Sequence, residues 1–298
     1  MHSKKALNPR TKKEGSLKSP TTIAFLGPEG TFTELAALEH FGRGGDLKPY
    51  ASIDDVFAAV AQKHVKHGVV PVENSTEGAV NNTQDCLIDS LVRIVGEVIL
   101  PVEHHLLVGK DNSTKTLIKI ASHKQSLAQC RKWILKNYPN AQLVECASNA
   151  EAAQLAASDD SIGAIAGKRA ADRYGLISID QKIQDQRHNS TRFLVISDKD
   201  ARPALNNKTS LLIYAENKPG SLYRILEPFE NLQISLTKIE TRPSKIEAWA
   251  YVFFIDFEGH ITDKLVEKVF IQLRKCSAEI KILGSYPVFK TQQRTFYA

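Results

Sequence analysis

The chain has 298 residues, of which 42% are hydrophobic and 24% charged, so it is long enough for about two domains with substantial cores. Residues 1–20 contain six Lys or Arg residues and one Glu, which leaves about +1 of the net charge of +6 for residues 21–298. Such a balanced body argues against nucleic acid as a partner, and no apolar run approaches the roughly 18 residues of a membrane span. We therefore expect a cytoplasmic globular protein that binds neither nucleic acid nor membrane, with a disordered basic tail over residues 1–20.

The cysteines and histidines give no sign of a cofactor or metal site. The four cysteines share no CxxC spacing and are expected to be free thiols. They are Cys86, Cys130, Cys146 and Cys276. The adjacent His104 and His105 would point to opposite faces of a strand, and neither GxGxxG nor GxxxxGK[ST] occurs. We predict a site that uses no cofactor and no metal.

Short apolar segments alternate with helical patterns along the first two-thirds of the chain. Strands are predicted over residues 23–26, 69–72, 118–121 and 162–166, each followed by a polar junction and a helix. Ser148-x-x-Glu151 fits a capping box, which predicts a further helix start at Ser148. The helix after residue 166 is expected to end at Tyr174-Gly175, because glycine commonly follows a helix C-terminus. The alternation predicts an α/β fold with a parallel-type sheet.

A polar segment near residues 198–208 marks a boundary, and the pattern restarts beyond it. Strands are predicted over residues 209–215, 234–240, 247–257 and 279–283, and helices over residues 220–231 and 262–275. This order is βαββαβ, the ferredoxin-like arrangement. The second unit carries no obvious catalytic cluster, so we expect a binding or regulatory module.

Hydroxyl and amide side chains follow the predicted strands where helices begin. They are Thr31 and Thr33 at the first junction, Asn74, Ser75 and Thr76 at the second, and Ser122, His123 and Gln125 at the third. Helix N-termini carry free N–H groups and a partial positive charge, so these junctions suit small carboxylates. Thr191 and Arg192 lie side by side before an apolar strand, where the guanidinium is expected to clamp a carboxylate.

Six segments of the chain resemble, in the right order, the signatures of one enzyme family. They are Gly27-Pro28-Glu29-Gly30-Thr31-Phe32-Thr33, Pro71-Val72-Glu73-Asn74-Ser75, Ser122-His123-Lys124-Gln125, Asn189-Ser190-Thr191-Arg192-Phe193, Asn217-Lys218-Pro219-Gly220-Ser221-Leu222-Tyr223 and Glu240-Thr241-Arg242-Pro243-Ser244-Lys245. The first four are similar to motifs of prephenate dehydratase, and the last two to motifs of the ACT domain attached to it. Each segment alone is unspecific, whereas six in order over residues 22–288 are specific.

The resemblance implies a fold class and a division of the chain. The fold would be α/β, with a two-lobed, type II periplasmic-binding-protein-like catalytic domain over residues 21–198. A ferredoxin-like βαββαβ ACT domain would follow over residues 208–288. Lobe one would comprise about residues 22–100 plus 190–198, lobe two about residues 101–189, and the site would lie in the cleft between them.

The resemblance also implies an activity, the conversion of prephenate to phenylpyruvate, water and carbon dioxide on the route to phenylalanine. Thr191 would act as the acid at the leaving hydroxyl. Substrate would be bound by Thr31, Thr33, Asn74, Ser75, Thr76, Ser122, His123, Gln125, Asn189, Arg192 and Phe193. The effector L-phenylalanine would be bound by Asn217, Pro219, Gly220, Ser221, Leu222, Glu240, Thr241, Arg242 and Pro243. Departures from the commonest family residues, which we expect only to tune these sites, are Lys124, Ser126, Ser221 and Thr241.

Two alternative functions stay open at this point. Arogenate dehydratase performs the same elimination on the amino analogue of prephenate, and nothing in this one sequence decides between the two substrates. A non-catalytic sensor of small carboxylates would share the two-lobed architecture, because fold does not fix function. We further expect a monofunctional enzyme, since twenty polar residues cannot form the chorismate mutase domain fused upstream in some relatives. Self-association as a dimer or tetramer is expected because ACT domains commonly pair.

Overall fold

Two α/β lobes and a C-terminal domain make up the part of the chain that this computed structural model describes, namely residues 21–110, 117–186, 188–215, 218–243, 251–277 and 279–289. Up to residue 198 the elements are β1 (Thr22–Leu26), α1 (Phe32–Phe41), β2 (Asp46–Tyr50), α2 (Ile53–Ala61), β3 (His67–Asn74), β4 (Gly78–Ala79), α3 (Asn81–Asp89), β5 (Arg93–Pro101), β6 (His105–Val108), β7 (Lys119–His123), α4 (Lys124–Gln129), α5 (Arg131–Asn137), β8 (Gln142–Cys146), α6 (Asn149–Ser158), β9 (Ile162–Ala166), α7 (Lys168–Tyr174), β10 (Ile177–Asp180) and β11 (Ser190–Ser197). The C-terminal domain contains β12 (Asn207–Tyr214), α8 (Ser221–Asn231), β13 (Leu236–Pro243), β14 (Tyr251–Glu258), α9 (Lys264–Leu273) and β15 (Glu279–Pro287). No helix within these ranges is long and apolar enough to cross a bilayer.

Each lobe is built on one mixed sheet. The first sheet has the order β2-β1-β3-β11-β5, with β4 also paired to β3, and the second has the order β10-β6-β9-β7-β8. Three neighbouring strands pair in parallel in each sheet, β2-β1-β3 and β9-β7-β8. Strands β11 and β6 pair antiparallel with both of their neighbours, and β4 pairs antiparallel with β3. The expectation of parallel-type sheets is therefore only partly met. The antiparallel strands flank the two passages between the lobes, where no helical crossover forces a parallel return.

Local sequence signals set the helix ends near the interlobe cleft. Thr31 and Ser148 cap α1 and α6, because their hydroxyls accept hydrogen bonds from backbone N–H groups three residues later, at 3.3 and 3.0 Å. Helix α7 ends at Gly175, whose φ of 68° is the left-handed conformation expected after a helix. The one helix predicted after the strand at residues 118–121 is instead two short helices, α4 and α5, that meet at Cys130.

The C-terminal domain has a four-stranded antiparallel sheet with the order β13-β14-β12-β15. This confirms the predicted ferredoxin-like arrangement. Strand alternation buries both faces of this sheet. Leu211 and Phe253 pack with α8 and α9, whereas Leu212, Phe254 and Tyr286 pack into the hydrophobic core of the first lobe. The C-terminal domain and the first lobe therefore share one apolar core.

Strand β15 lies directly against β5 of the first lobe at Gly284. A Cβ atom at this position would overlap the backbone of Ile94, so only glycine permits the approach. The close contact aligns the two sheets that share the core.

We expect Gly284→Ala to lower the free energy of unfolding by about 1–3 kcal/mol, because the backbone of Ile94 cannot yield as a flexible side chain would. Urea denaturation measures the loss. Gly44→Ala is the matched control, since a Cβ at residue 44 meets no atom within 4 Å. Equal stability of the two variants would show that β15 can move away from β5 without loss of stability.

Candidate active site

A cavity of about 1070 Å³ lies between the two lobes. The first lobe lines it with the β1–α1 junction, the end of β3 and the start of β11, and the second lobe with the starts of α4, α6 and α7. The N-termini of α1 and α6 border this space. The cleft thus lies beyond the strand ends, where open α/β sheets bind ligands.

Thr191 and Asn74 form a hydrogen-bonded pair in the wall of this cavity. They are cross-strand partners on β11 and β3, and Asn74 Nδ2 donates to Thr191 Oγ1 at 2.9 Å. Asn74 Oδ1 accepts from the backbone N–H of Thr76 and Glu77 at 3.0 and 3.2 Å, and from the Thr76 hydroxyl at 2.7 Å. These three donors fix which end of the amide faces Thr191. Because the Thr191 oxygen accepts in this pair, its own proton is available for donation into the cavity.

Gln129, absent from the predicted site, joins the two lobes beside the cavity. Its Oε1 accepts from Asn189 Nδ2 at 3.1 Å and lies 3.0 Å from His104 Nε2. Its Nε2 donates to Thr76 Oγ1 and Glu77 Oε1 at 3.4 and 3.3 Å. One signal in the sequence could have identified Gln129. It lies four residues after Gln125, which was predicted to bind substrate, and residues four apart lie on the same helix face.

His104 and His105 both line the cavity, contrary to the expectation from strand alternation. The reason is that β6 begins only at His105, so His104 is not constrained by the strand. Burial lowers the pKa of both histidines, and the hydrogen bond to Gln129 only partly offsets this for His104. Both side chains are therefore neutral at pH 7. Within the described residues, no three His, Cys, Asp or Glu side chains are grouped to hold a metal ion.

Lys168 and Arg169 supply positive charge at the start of α7, and neither was predicted. Arg169 Nη2 contacts Glu34 Oε1 of the first lobe at 2.6 Å, and the other oxygen of Glu34 accepts from the backbone N–H of Gly30 at 2.5 Å. Arg169 Nε is buried without a partner among the described residues. An unpaired buried donor beside a cavity can be satisfied by an anionic ligand.

Many of the predicted site residues line the cavity, namely Thr31, Thr33, Asn74, His123, Gln125, Thr191 and Phe193. Ser75, Thr76 and Asn189 do not line it and instead form hydrogen bonds at the passage between the lobes. Ser75 Oγ donates to Asn189 Oδ1 at 3.4 Å and accepts from the backbone N–H of Ser190 at 3.0 Å.

Arg192, predicted to clamp a substrate carboxylate, does not line the cavity. Alternation along β11 directs Thr191 and Phe193 to the cavity and Arg192 to the opposite face of the sheet. The guanidinium there contacts Glu97, Asp256 and Tyr286, with a side chain that is only 12% exposed. Arg192 thus belongs to the contact with the C-terminal domain.

Ser122, also predicted to bind substrate, does not line the cavity. It is fully buried on β7, and its hydroxyl donates to the carbonyl oxygen of Ile165 at 2.6 Å. It lies 3.0 Å from Asn149 Oδ1, which also accepts from Ser126 Oγ at 2.9 Å. Asn149 lines the cavity, so Ser122 helps to orient a lining residue.

The predicted effector residues occupy two neighbouring segments of the C-terminal domain. Gly220, Ser221 and Leu222 line a cavity of about 260 Å³, and Tyr251, which also lines it, pairs with Pro243 of β13. The structure does not bring Arg242 to this cavity.

The guanidinium of Arg242 instead binds Asn81 and Asp85 of α3, at 2.6 and 2.7 Å. This residue, predicted to contact the effector, therefore contacts the first lobe, where Asp85 supplies a carboxylate. Glu240, two residues earlier, forms an ion pair with Lys238 at 3.1 Å. Asn217 lies outside the described residues.

These features define a class of protein: a two-lobed α/β unit with a cleft suited to a small acid, followed by a ferredoxin-like domain. Residues 23–201 match the prephenate dehydratase family and residues 209–274 the ACT domain. The chain belongs to the prephenate dehydratase family.

Similar proteins support this membership. The chain is 49% identical to the bifunctional chorismate mutase/prephenate dehydratase of Pseudomonas aeruginosa over 91% of its length and 74% of that protein. It is 40% identical to the prephenate dehydratase of Methanocaldococcus jannaschii, covering 90% of this chain and 98% of that one. The crystal structure of prephenate dehydratase from Arthrobacter aurescens in complex with L-Phe is similar with a TM-score of 0.81 and 31% identity, over 89% of this chain and 90% of that one.

Proposed function

We propose that this protein is a prephenate dehydratase that converts prephenate to phenylpyruvate with loss of water and carbon dioxide. The observation that carries the proposal is the Asn74–Thr191 pair, in which the hydroxyl accepts from the amide and keeps its proton for a ligand in the cleft. An acid aimed at a leaving hydroxyl is the one chemical group that this elimination requires of the protein. A binding protein would need no such polarised hydroxyl.

The proposed reaction is a decarboxylative elimination. The bond between the ring and its carboxylate breaks and releases carbon dioxide, and the electron pair moves into the ring. The ring C–O bond breaks on the opposite side, and the leaving oxygen takes the proton of Thr191 and departs as water. The negative charge left on Thr191 Oγ1 is stabilised by the N–H of Asn74 until a solvent proton replaces the one lost. Aromatisation of the ring supplies the driving force, so a hydroxyl polarised by one amide is a sufficient acid.

The carboxylates of prephenate are proposed to bind between the lobes at Lys168 and Arg169 and at the N-termini of α1 and α6. Arg169 Nε has no partner among the described residues and can donate to a carboxylate. The contact between Arg169 Nη2 and Glu34 holds the guanidinium in place. The helix N-termini add N–H groups and a partial positive charge. Two anionic groups can thus be held with the ring hydroxyl directed at Thr191.

The remaining expectations belong to the same proposal. Residues 21–198 would form the catalytic domain, with lobe one at about 22–100 plus 190–198 and lobe two at about 101–189, and residues 208–288 the ACT domain. We propose that L-phenylalanine binds at Pro219, Gly220, Ser221 and Leu222 together with Glu240, Thr241 and Pro243. The exposed side chains of Tyr223 and Tyr251 beside this site favour self-association there. A cytoplasmic location fits the four free cysteines.

Millimolar L-phenylalanine is expected to raise the melting temperature and to change the turnover rate, because a ligand that binds only the folded protein stabilises it. Thermal unfolding and rate assays with and without the amino acid measure both effects. D-Phenylalanine at the same concentration is the control. The absence of any change with the L form would remove the effector from the proposal.

Parallel assays of the purified protein with prephenate and with arogenate test the proposed activity. Prephenate should yield phenylpyruvate, detected by its absorbance in alkali, at a higher specificity constant than arogenate yields phenylalanine. Faster turnover of arogenate would reassign the substrate, and binding of both without turnover would favour the sensor.

A further inference from the structure

The side chain of Arg192 closes a ring of hydrogen bonds between the first lobe and the C-terminal domain. Its Nη2 donates to Tyr286 Oη at 2.9 Å, and its Nη1 contacts Asp256 Oδ2 at 2.6 Å. Ser210 Oγ donates to Asp256 Oδ1 at 2.5 Å and lies 2.7 Å from Tyr286 Oη, so the tyrosine hydroxyl donates to it. Every donor in the ring has one acceptor, and this fixes the guanidinium in a single position.

The ring is part of a charge-balanced buried network. Glu97 contacts Arg192 Nε at 2.8 Å and Lys208 Nζ at 2.9 Å, and its side chain is fully buried. Two cations therefore face two carboxylates, Glu97 and Asp256. Burial alone lowers the pKa of Arg192, but Tyr286, Asp256 and Glu97 together raise it, so the guanidinium stays charged.

This network lies directly behind the proposed catalytic pair. On β11 and β3, Thr191 is paired with Asn74, and the next position pairs Arg192 with Glu73. The front pair, Thr191 and Asn74, faces the cavity. Both members of the rear pair, Arg192 and Glu73, contact the C-terminal domain, since Glu73 contacts Lys238 Nζ at 3.0 Å.

A break in the strand pairing makes the rear contacts important for the position of Thr191. The register of β11 against β3 shifts between Arg192 and Phe193, because Val72 is an extra residue on β3. Such bulges disrupt the hydrogen-bond ladder and re-aim side chains. The backbone pairing between β11 and β3 is interrupted at this point. The guanidinium of Arg192, held by the C-terminal domain, therefore helps to fix the position of the neighbouring Thr191.

We propose that Arg192 is a positioning residue through which the sheet of the C-terminal domain sets the hydroxyl of Thr191 for proton donation. A shift of β12, β14 or β15 moves Ser210, Asp256 or Tyr286 and is transmitted by the guanidinium to its neighbour on β11. The catalytic consequence rests on the proposed function, whereas the structural coupling between Tyr286 and Thr191 does not.

The test uses Tyr286→Phe in the full chain, which removes one hydroxyl and keeps the buried ring. Two quantities are measured: kcat and KM for prephenate, and the resonance of the Thr191 methyl group in protein carrying ¹³C-labelled threonine methyls. The Thr191→Ser variant, which lacks that methyl group, assigns the signal. We expect the signal to move, and kcat to fall roughly tenfold, the equivalent of about 1.4 kcal/mol in the barrier, with a smaller change in KM.

Asp85→Asn is the matched control, because it breaks another contact with the C-terminal domain, the 2.7 Å ion pair with Arg242, away from the Arg192 ring. It should leave the Thr191 signal and kcat near those of the wild type. If Tyr286→Phe does not fold, Ser210→Ala opens the same ring from the neighbouring side chain.

The outcomes separate the two proposals. An unmoved Thr191 signal in the folded Tyr286→Phe protein overturns the coupling, whatever the activity. An equal shift in Asp85→Asn overturns it as well, since any domain contact would then suffice. A wild-type protein that does not convert prephenate defeats the proposed function, while the methyl signal still decides whether Arg192 positions Thr191.

Discussion

Replacement of Thr191 by valine is expected to lower kcat for prephenate by about 10²–10⁴-fold with little change in stability. Valine keeps the shape of the side chain at the cavity wall but removes the proton proposed for the leaving hydroxyl. Asn74 Nδ2 also loses its acceptor at 2.9 Å, but the freed amide is too weak an acid to supply the lost proton. Steady-state kinetics with prephenate, together with thermal unfolding, measure the effect.

Thr191→Ser serves as the control because it retains the hydroxyl and removes only a methyl group. It should keep kcat well above that of the valine variant. A folded Thr191→Val protein with turnover near that of the wild type would show that the proton comes from elsewhere.

The second large effect is on stability: Arg192→Met is expected to lower the free energy of unfolding by about 3–5 kcal/mol. Methionine fills much of the volume but leaves Asp256, only 9% exposed, and the fully buried Glu97 without their shared cation. An uncompensated buried carboxylate is costly because water cannot solvate it. Urea denaturation at pH 7 gives the difference.

Arg173→Met provides the comparison, since Arg173 pairs with Glu29 across the cleft with side chains 48% and 39% exposed. A partly exposed ion pair contributes at most about 1 kcal/mol, so this variant should be nearly as stable as the wild type. Similar losses in both variants would contradict the assignment of Arg192 to a buried network.

The sequence predicted the fold best where a single signal governed a segment. The apolar run before Gly27 became β1, and Gly175 ended α7 in the left-handed conformation. Strand β2 (Asp46–Tyr50) escaped prediction because it is a polar edge strand containing Pro49, with neither alternation nor an apolar run. Its pairing with β1 depends on tertiary contacts that a local pattern does not contain.

The sequence predicted only part of the site, because the site also depends on tertiary contacts that a local pattern does not contain. Thr191 and Asn74 come from distant segments, and only the resemblance to a known family put them together. Strand alternation through Thr191 would have been enough to direct Arg192 to the opposite face of the sheet. The sequence could not show that the C-terminal domain lies on that face. The neighbours of Arg192 lie 64 and 94 residues away in the chain. The sequence also gives no sign that Arg169 Nε is buried without a partner among the described residues, because this depends on how the two lobes pack together.

The product balance of the wild-type protein with prephenate decides whether Thr191 drives a decarboxylative elimination. Phenylpyruvate and carbon dioxide are quantified together at neutral pH, with Thr191→Val as the reference protein. We expect equal amounts of the two products from the wild type and a rate at least 10²-fold lower from the variant. Saturable binding of prephenate without release of carbon dioxide, or equal rates for the two proteins, would contradict this expectation.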